Sequence, residues 1–356
     1  MRQKSTHILE TAVVLLSYNS LPLVKDFLPK IIATVPQSDE VEIIVVDNAS
    51  TDGTEEYVTK THPEVTLMRF DVNVGFTGGY LKSLAQIEAK NFVLISSDIE
   101  VTENWFQPAI DLLNSSDDIA AVQPKIMSFD RRKEFEYAGA AGGFIDALGY
   151  PFCRGRLINV LEEDNGQYDD VTEIFWASGA CLFIKSKAWK EAEGFDKDFF
   201  AHMEEIDMCW RLKGMGYRIM YQPKSVIHHM GGFVIKYGSP QKIFRNHRNN
   251  LLMLIKNLPT LQLLWKIPIR LLLDHAAALS MVKEKNPEGA IQVFKAHADI
   301  LMHLGMWLNK RKLTQSGKKN SNNFGIYPHS MIYQFFAKGK KKFSQLGWKP
   351  FVKMDR

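Results

Sequence analysis

The chain has 356 residues, of which 46% are hydrophobic and 24% are charged, a composition typical of a globular protein with about two domains. Its three cysteines, Cys153, Cys181 and Cys209, are isolated and form no CxxC pair, which argues against a disulfide framework and a structural zinc site. The formal net charge of +4 combines two unlike halves, because residues 236–356 hold 22 Lys and Arg against five acids while residues 1–235 are acidic.

The first half of the chain alternates between short apolar runs and helix-like segments. The apolar runs are 11–19, 41–50, 65–73 and 91–101, and the helix-like segments between them are 21–34, 54–61 and 78–89. This alternation predicts an α/β fold with a mostly parallel central sheet that helices cover on both faces. Each run ends in polar residues, and ligands of such sheets bind outside the carboxyl ends of the strands. We therefore expect a ligand at that edge.

Two stretches after these strands can contact a nucleotide. "VVDNASTDGT" (45–54) places Asp47 at a strand end, where its carboxylate can accept hydrogen bonds from a base or a ribose; a turn with a helix cap is the alternative. "NVGFTGGYLKSL" (73–84) is rich in glycine, so its backbone can approach a ligand closely. The sequence has no GxGxxG after the first strand and no GxxxxGK[ST], which weakens a dinucleotide oxidoreductase or P-loop NTPase hypothesis.

The stretch "SSDIEV" (96–101) puts Asp98 and Glu100 directly after the fourth apolar run. Alternate residues of a strand share a face, so the two carboxylates are expected to lie together. Such hard oxygen ligands suit Mg²⁺ or Mn²⁺, which in turn would hold a substrate diphosphate. The alternative is a polar strand end followed by a helix cap at Thr102.

Three further stretches complete the first half. Residues 137–156 are rich in glycine, and "AGAAGG" at 138–143 predicts a flexible lid or hinge. Residues 174–189 predict a buried strand that enters a helix. Residues 217–232 predict a short strand that Pro223 breaks and that ends in two histidines.

The stretch "FAHMEEIDMCWR" (200–211) crowds Glu204, Glu205 and Asp207 into four positions beside residues that prefer burial. On their own, these acids could be the solvated start of a helix, where the helix dipole stabilises negative charge. The alternative is that they work in a site.

The basic second half of the chain differs from the first in its sequence pattern. Residues 245–258 and 261–282 are helical and apolar, but charged residues such as Lys266 and Arg270 interrupt them, so no run approaches the ~18 apolar residues that a membrane span needs. Basic side chains beside Trp265 on an apolar helix predict a helix in the membrane interface whose Lys and Arg reach the headgroups.

The order of these motifs along residues 11–235 resembles glycosyltransferase family 2, most closely its rhamnosyltransferase-like branch. The resemblance implies a GT-A (nucleotide-diphospho-sugar transferase) fold in residues 1–235, followed by a basic, amphipathic helical region in residues 236–356. It also implies a nucleotide-sugar donor, Mn²⁺ or Mg²⁺ as cofactor, inversion at the anomeric carbon, and a glycan or lipid-linked acceptor in cell-surface polysaccharide assembly.

The resemblance assigns roles within the acidic stretch. Glu205 stands at the position of the family's general base, where the family usually has Asp. Glu204, Asp207 and Arg211 would support it, and the i, i+4 spacing of Asp207 and Arg211 allows an ion pair on a helix.

The metal and donor positions follow from the same resemblance. Asp98 holds the last position of the family's DXD motif and would bind the metal with His229, whereas Ser96 replaces the first acid. Leu81 and Ser83 also depart from the family pattern, which weakens one donor contact. The donor would contact the strand ends and the glycine-rich loop, through Ser17, Tyr18, Asn19, Asp47, Asn48, Asn73, Gly75, Gly78 and Ser97.

The expected partners are therefore the donor, the acceptor and an anionic membrane surface. No secretory h-region is visible in the first 19 residues, so we expect a cytoplasmic protein that is peripheral at the inner face of the plasma membrane. A catalytically silent sugar-nucleotide-binding or scaffold protein is the alternative. Nucleic-acid binding beyond the donor nucleotide is disfavoured, because the Lys clusters carry no RNA-recognition signature.

Overall fold

The structure, a computed structural model, describes residues 8–231 and 239–348. The strands are β1 (Leu9–Ser17), β2 (Val41–Asp47), β3 (Thr66–Arg69), β4 (Ala89–Ser96), β5 (Ile99–Val101), β6 (Ile119–Ser128), β7 (Gly143–Asp146), β8 (Pro151–Cys153), β9 (Arg156–Leu157), β10 (Val160–Leu161), β11 (Thr172–Ile174), β12 (Cys181–Lys185), β13 (Arg218–His229) and β14 (Ile326–Tyr327). The α-helices are α1 (Leu21–Thr34), α2 (Thr54–Thr61), α3 (Gly75–Leu84), α4 (Gln107–Asn114), α5 (Ser186–Glu191), α6 (Glu204–Gly214), α7 (Pro240–Asn257), α8 (Thr260–Lys283), α9 (Pro287–Met302) and α10 (Leu304–Ser316).

The central sheet has nine strands in the described residues, in the order β11-β13-β6-β12-β4-β1-β2-β3, with β5 paired to β13. Strands β1 to β4, β6 and β13 run in one direction, so the prediction of a mostly parallel sheet is confirmed. Alternate residues of β1 enter two different cores: Val14 packs with one cluster and Val13 with the other. Burial on both faces explains why the strands are continuous apolar runs rather than alternating ones.

A second sheet of five strands, in the order β10-β9-β8-β7-β14, forms beside the first within the described residues. Strand β7 begins at Gly143, and residues 139–143 are buried, so the prediction of a flexible lid at 138–143 was wrong. A Cβ at Gly143 would lie 2.2 Å from the Trp176 ring, and one at Gly142, whose φ is +104°, would lie 2.5 Å from Ile174. These glycines permit close packing and a left-handed backbone, and they do not form a hinge.

Strand β13 is longer than expected. Pro223 does not break it, because the chain stays in the sheet from Arg218 to His229. The pairing with β6 instead shifts register between Gln222 and Val226, which accommodates the proline that cannot donate to the ladder. The strand therefore carries its terminal residue, His229, to a position opposite Ile99, the first residue of β5, at the edge where ligands are expected.

The helices after residue 239 pack into the same core as the sheet. Leu252 of α7, Ile300 of α9 and Trp307 of α10 belong to the cluster that also contains β1 residues. Strand β14 comes from this part of the chain and pairs with β7. The boundary expected at 235/236 lies in 232–238, outside the described residues.

Helix α8 is oriented opposite to the expectation. Lys266 and Arg270 are buried against the protein, whereas Leu261, Leu264 and Leu272 are exposed. The prediction that these two basic side chains reach outward to lipid headgroups was therefore wrong. No helix in residues 8–231 or 239–348 is both long enough and apolar enough to cross a membrane.

Candidate active site

A cavity of about 590 Å³ opens at the carboxyl ends of β1, β2 and β4. Its volume is in the range of small-molecule sites. The start of α3, the start of α6, the end of β13 and the start of α7 form the other walls. It gathers nine of the predicted site residues: Tyr18, Asn48, Asn73, Gly75, Ser97, Asp98, Glu204, Glu205 and His229.

The amides of Asn48 and Asn73 shape the glycine-rich loop. Asn48 Nδ2 donates to Asn73 Oδ1 at 2.9 Å, and its Oδ1 accepts from the backbone of Val74 at 3.0 Å. Gly75 has a φ of +75°, and a Cβ there would lie 2.8 Å from the ring of Phe200. Glycine is thus required, because the loop must pass close under that ring.

Six predicted residues do not line the cavity: Ser17, Asn19, Asp47, Gly78, Asp207 and Arg211. The carboxylate of Asp47 is fully buried and accepts from Ser50 N at 2.9 Å and from Arg69 Nη1 at 3.0 Å. Asn19 Oδ1 accepts from the backbone of Thr51, so it also binds the turn. Contact of Asp47 with the nucleotide base stays a prediction. In the structure, both carboxylate oxygens of Asp47 accept hydrogen bonds from protein groups.

Asp98 and His229 meet at the cavity edge. Oδ2 of Asp98 lies 3.3 Å from Nε2 of His229. Two ligands bound at ~2.1 Å to one octahedral divalent ion are ~3 Å apart, so the pair fits neighbouring positions of such an ion. No group of three or more His, Cys, Asp or Glu in the described parts of the chain is arranged to hold a metal. The remaining ligands would have to be phosphate oxygens and water.

Glu136 completes this pair, and sequence analysis missed it. Its Oε2 lies 3.3 Å from Nδ1 of His229, on the side opposite Asp98. Burial lowers the pKa of His229, but the charges of Asp98 and Glu136 outweigh it and hold that pKa well above the usual range. A carboxylate on the second ring nitrogen is the usual way to orient a metal-binding histidine. Glu100 lies elsewhere, paired with Lys30 and Arg132, so its expected sharing of a site with Asp98 was wrong.

The loop before α6 has an unusual backbone. Phe200, His202 and Met203 all have positive φ, at 64°, 71° and 71°. Such conformations cost ~1–3 kcal/mol each unless the surroundings hold them. Here Asn249 of α7 holds the loop, because its buried amide donates to the carbonyls of Phe199, Ala201 and His202 at 3.0, 2.9 and 2.8 Å. The loop thereby sets where α6 begins.

Glu204 and Glu205 start α6 and face the cavity. Burial raises the pKa of Glu205 to about 7. Burial and the neighbouring charge of Glu205 raise the pKa of Glu204 well above its usual range. In each residue Oε2 is shielded from solvent and has no hydrogen-bond partner within the described residues. A carboxyl group with a pKa near 7 and an oxygen that has no hydrogen-bond partner is suited to accept a proton at neutral pH.

Asp207 lies one residue beyond Ile206 and has the opposite environment. Arg211 Nε donates to it at 2.9 Å, which is the i, i+4 ion pair expected from sequence, and Lys256 Nζ of α7 donates at 2.7 Å. Asn257 Nδ2 donates to the other oxygen at 2.8 Å. Burial alone would raise the pKa of Asp207, but Lys256 and Arg211 hold it below the usual range. Asp207 is therefore a fixed anchor for α6.

The comparison with known families decides the assignment. Residues 12–182 match Glycosyl transferase family 2. Residues 12–182 therefore belong to glycosyltransferase family 2. The chain is 24% identical to the N-acetylglucosaminyl-diphospho-decaprenol L-rhamnosyltransferase of Mycobacterium tuberculosis over 236 residues, which cover 61% of this chain and 75% of the relative. The resemblance to the rhamnosyltransferase-like branch is confirmed, and the chain is a glycosyltransferase.

Solved structures give the fold of this glycosyltransferase. GalNAc-T7, solved with UDP, GalNAc and Mn²⁺, has a TM-score of 0.54 at 14% identity over 71% of this chain, which spans about half (48%) of that protein. A mannosyltransferase of Pyrobaculum calidifontis, solved with GDP-Man and Mn²⁺, has a TM-score of 0.50 at 16% identity, over 88% of this chain and 86% of that one. The fold is GT-A, as predicted.

The transferase also carries cavity cations that sequence analysis did not assign to the site. Lys242 and Arg245 of α7 line the cavity together with Arg156 of β9. The Arg245 guanidinium lies 4.5 Å from the centre of the Phe200 ring, and burial lowers the pKa of both α7 side chains. For the two α7 side chains, the excess of Lys and Arg after residue 236 is the available signal, which the sequence analysis assigns to a membrane surface.

The aromatic residues of the acidic stretch separate into two environments in the transferase. Phe199 is fully buried, and Trp210 packs edge-on against Phe175 with ring centroids 5.3 Å apart, so both belong to the core. Phe200 is partly exposed and lies over the glycine-rich loop in the cavity.

Proposed function

We propose that this chain is an inverting glycosyltransferase that moves a sugar from a nucleotide-diphosphate-sugar to a hydroxyl of a glycan or lipid-linked acceptor, with the chemistry in residues 1–235. The observation that carries the proposal is the buried carboxylate of Glu205, whose Oε2 has no hydrogen-bond partner in the described residues, in the same cavity as the Asp98–His229 pair. A base and a diphosphate-binding pair on one cavity are what a single displacement at an anomeric carbon requires.

In the proposed reaction Glu205 accepts the proton of the acceptor hydroxyl. The hydroxyl oxygen forms a bond to the anomeric carbon as the bond from that carbon to the diphosphate oxygen breaks. The electron pair leaves with the diphosphate. One displacement from the side opposite the leaving group inverts the anomeric configuration. Lys256 and Arg211 hold Asp207 and thereby anchor helix α6. Glu205, on the same helix, therefore keeps its position when it gains or loses a proton.

Mn²⁺ or Mg²⁺ would be held by Asp98 and His229, and when bound it would neutralise charge on the leaving diphosphate. Glu136 would fix the ring of His229 in the orientation that presents Nε2. Lys242 and Arg245 supply further positive charge for a phosphate of either substrate. We also propose Ser97, Asn48 and Asn73 as donor contacts.

The proposed setting is cell-surface polysaccharide assembly, with the protein peripheral at the cytoplasmic face of the membrane. The name of the mycobacterial relative specifies a diphospho-decaprenol acceptor for that protein. A lipid-linked acceptor of the same kind suits this chain, because its second half is basic and its apolar helices border the cavity wall at α7.

The test is transfer assayed with a panel of nucleotide sugars, with Mn²⁺, with Mg²⁺ and with a chelator. Glu205→Gln should reduce kcat by about 10²–10⁴-fold, because the amide cannot accept the proton. The thermal stabilisation by the donor should persist. Glu204→Gln is the matched control: burial and the charge of Glu205 raise the pKa of Glu204 and so favour its neutral form, which the amide resembles, and most activity should remain.

Two results would contradict the proposal. Turnover close to wild type in Glu205→Gln would remove the base assignment. Donor binding without transfer or hydrolysis under any condition would favour the catalytically silent protein, which Ser96 in the first DXD position makes a real alternative.

A further inference from the structure

Helix α8 has its polarity reversed relative to a helix of a water-soluble core. Its buried positions are spaced by four and carry Lys266, Arg270, Asp274 and Ala278. Its exposed positions carry large apolar side chains: Leu261, Leu264, Trp265, Ile269, Leu272, Leu279 and Val282. Leu261 is 80% exposed and Arg270 only 1%. A helix in contact with water places its charged stripe outward.

The buried stripe is held by partners, so the helix cannot rotate to hide its leucines. Arg270 Nη1 donates to the carbonyl of Leu148 at 3.0 Å, and its guanidinium lies 3.6 Å from the centre of the Tyr150 ring. Asp274 lies 3.2 Å from Nδ1 of His247 and 3.1 Å from Nε2 of His297. The outward apolar face is thus fixed by the interior.

The two following helices also expose large apolar side chains. Of the 23 large apolar side chains exposed in the described parts of the chain, 17 lie between residues 261 and 336. On α9 they include Phe294, Leu301 and Met302, and on α10 Leu308 and Leu313. A concentration of this size marks a surface that is covered in use.

The positive charge of this part of the chain indicates what covers the apolar side chains. Residues 239–348 hold 18 Lys and Arg against four acids. Exposed lysines lie on these helices or within three residues of their ends, at Lys283, Lys285, Lys295, Lys312 and Lys319. A second copy of the chain would bring these like charges together, whereas an anionic bilayer attracts them. Trp265, half exposed, has the amphipathic ring typical of the membrane interface.

We propose that α8, α9 and α10 form a monotopic membrane-docking face whose apolar side chains enter the acyl region while the surrounding lysines contact anionic headgroups. It deepens the proposed function, on which it rests for the lipid-linked acceptor. The face differs from an electrostatic patch in one measurable respect: salt screens the lysines but leaves the insertion of leucines in place.

The test is flotation of the full chain with vesicles of phosphatidylcholine containing 30% phosphatidylglycerol, at about 0.1 and 1 M NaCl. The wild-type protein should float at both salt concentrations. The triple variant Leu261→Gln, Leu264→Gln, Leu272→Gln should lose about tenfold or more in partitioning. The matched control replaces exposed apolar residues outside the face, Ile8→Gln, Val72→Gln and Val171→Gln, and should float like wild type.

Transfer activity and oligomeric state are measured on the same variants, so that a loss of membrane binding can be told apart from a loss of activity or of dimerisation. Transfer to a short water-soluble acceptor should be unchanged in the face variant, so its loss of binding does not depend on whether the proposed reaction is correct. Flotation of the face variant at the wild-type level would overturn the inference. A stable dimer in solution that the face variant abolishes would also overturn it, because a second copy would then cover the face.

Discussion

Helices α6 and α8 both direct charged side chains into the protein, yet they use them in different ways. In α6 the inward charges differ from residue to residue: Asp207 has three donors, whereas Glu205 has an oxygen with no partner in the described residues. In α8 the inward Arg270 and Asp274 both have partners, and the unsatisfied surface is the apolar one outside. In each helix, the group that has no partner within the described part of the protein marks a candidate site. In α6 this group is a carboxylate oxygen of Glu205, and in α8 it is the exposed apolar surface.

The largest expected effect tests the anchor of α6. Lys256→Met keeps the length of the side chain but removes its charge from between Asp196 and Asp207. We expect the free energy of unfolding to fall by about 3–5 kcal/mol, because a buried carboxylate then loses a partner it cannot replace. Denaturant unfolding measures this loss. Lys310→Met, at the more exposed edge of the same cluster, should cost about 1 kcal/mol or less, and equal losses would contradict the anchor role.

The second prediction concerns the strained loop that leads into α6. Asn249→Ala removes the donor for three loop carbonyls, so the start of α6 should shift. We expect kcat to fall about 10–100-fold while KM for the donor changes little, because positioning of the base is lost and donor contacts remain. Kinetics should be measured at a temperature where both proteins are folded. A proportional rise in KM at constant kcat would assign Asn249 to donor binding instead.

The third prediction follows from the pKa of Glu205, which burial raises to about 7. The active form is the carboxylate, so the rate should rise with pH through about 7 and fall about tenfold per unit below it. A pH profile of kcat/KM between 5.5 and 8.5 measures this. The rising limb should vanish in the residual activity of Glu205→Gln. A flat wild-type profile over this range would contradict the assignment.

The smallest expected effect is on the outer face of α8. Leu272→Gln should change the free energy of unfolding by no more than about 0.5 kcal/mol, because the side chain is exposed in the folded protein. The matched control, Leu252→Gln on the buried face of α7, should destabilise by several kcal/mol. A large loss for Leu272→Gln would mean that the protein itself covers this face.

Sequence alone predicted the regular elements well. Helices α1 and α2 lie at the expected residues, because local apolar spacing and flanking turn residues determine them. The motif order also brought Asp98, His229 and Glu205 to one cavity. Glycine caused the main error in the first half, since the residue serves close packing as readily as flexibility, and only the neighbour, here Trp176, distinguishes the two.

The supporting residues could not be found from the sequence. Lys256 is 49 residues from Asp207 along the chain, and Glu136 lies in the loop between β6 and β7, far in sequence from His229. No local pattern marks either one, because their role depends on tertiary contact. The direction of α8 was missed for the same reason. Its apolar spacing is visible, but which face turns inward depends on partners such as Leu148 and His297.

Strand β14 has a consequence for how the protein is made. Ile326 pairs with Ile145 of β7, so the small sheet closes only when chain about 180 residues downstream has left the ribosome. At typical rates of synthesis this takes about 10–35 s, during which the edge of β7 is open. Leu254, which packs on Gly149, also arrives late. A fragment ending near residue 235 would keep the catalytic side chains but expose an unpaired strand edge, a known route to aggregation.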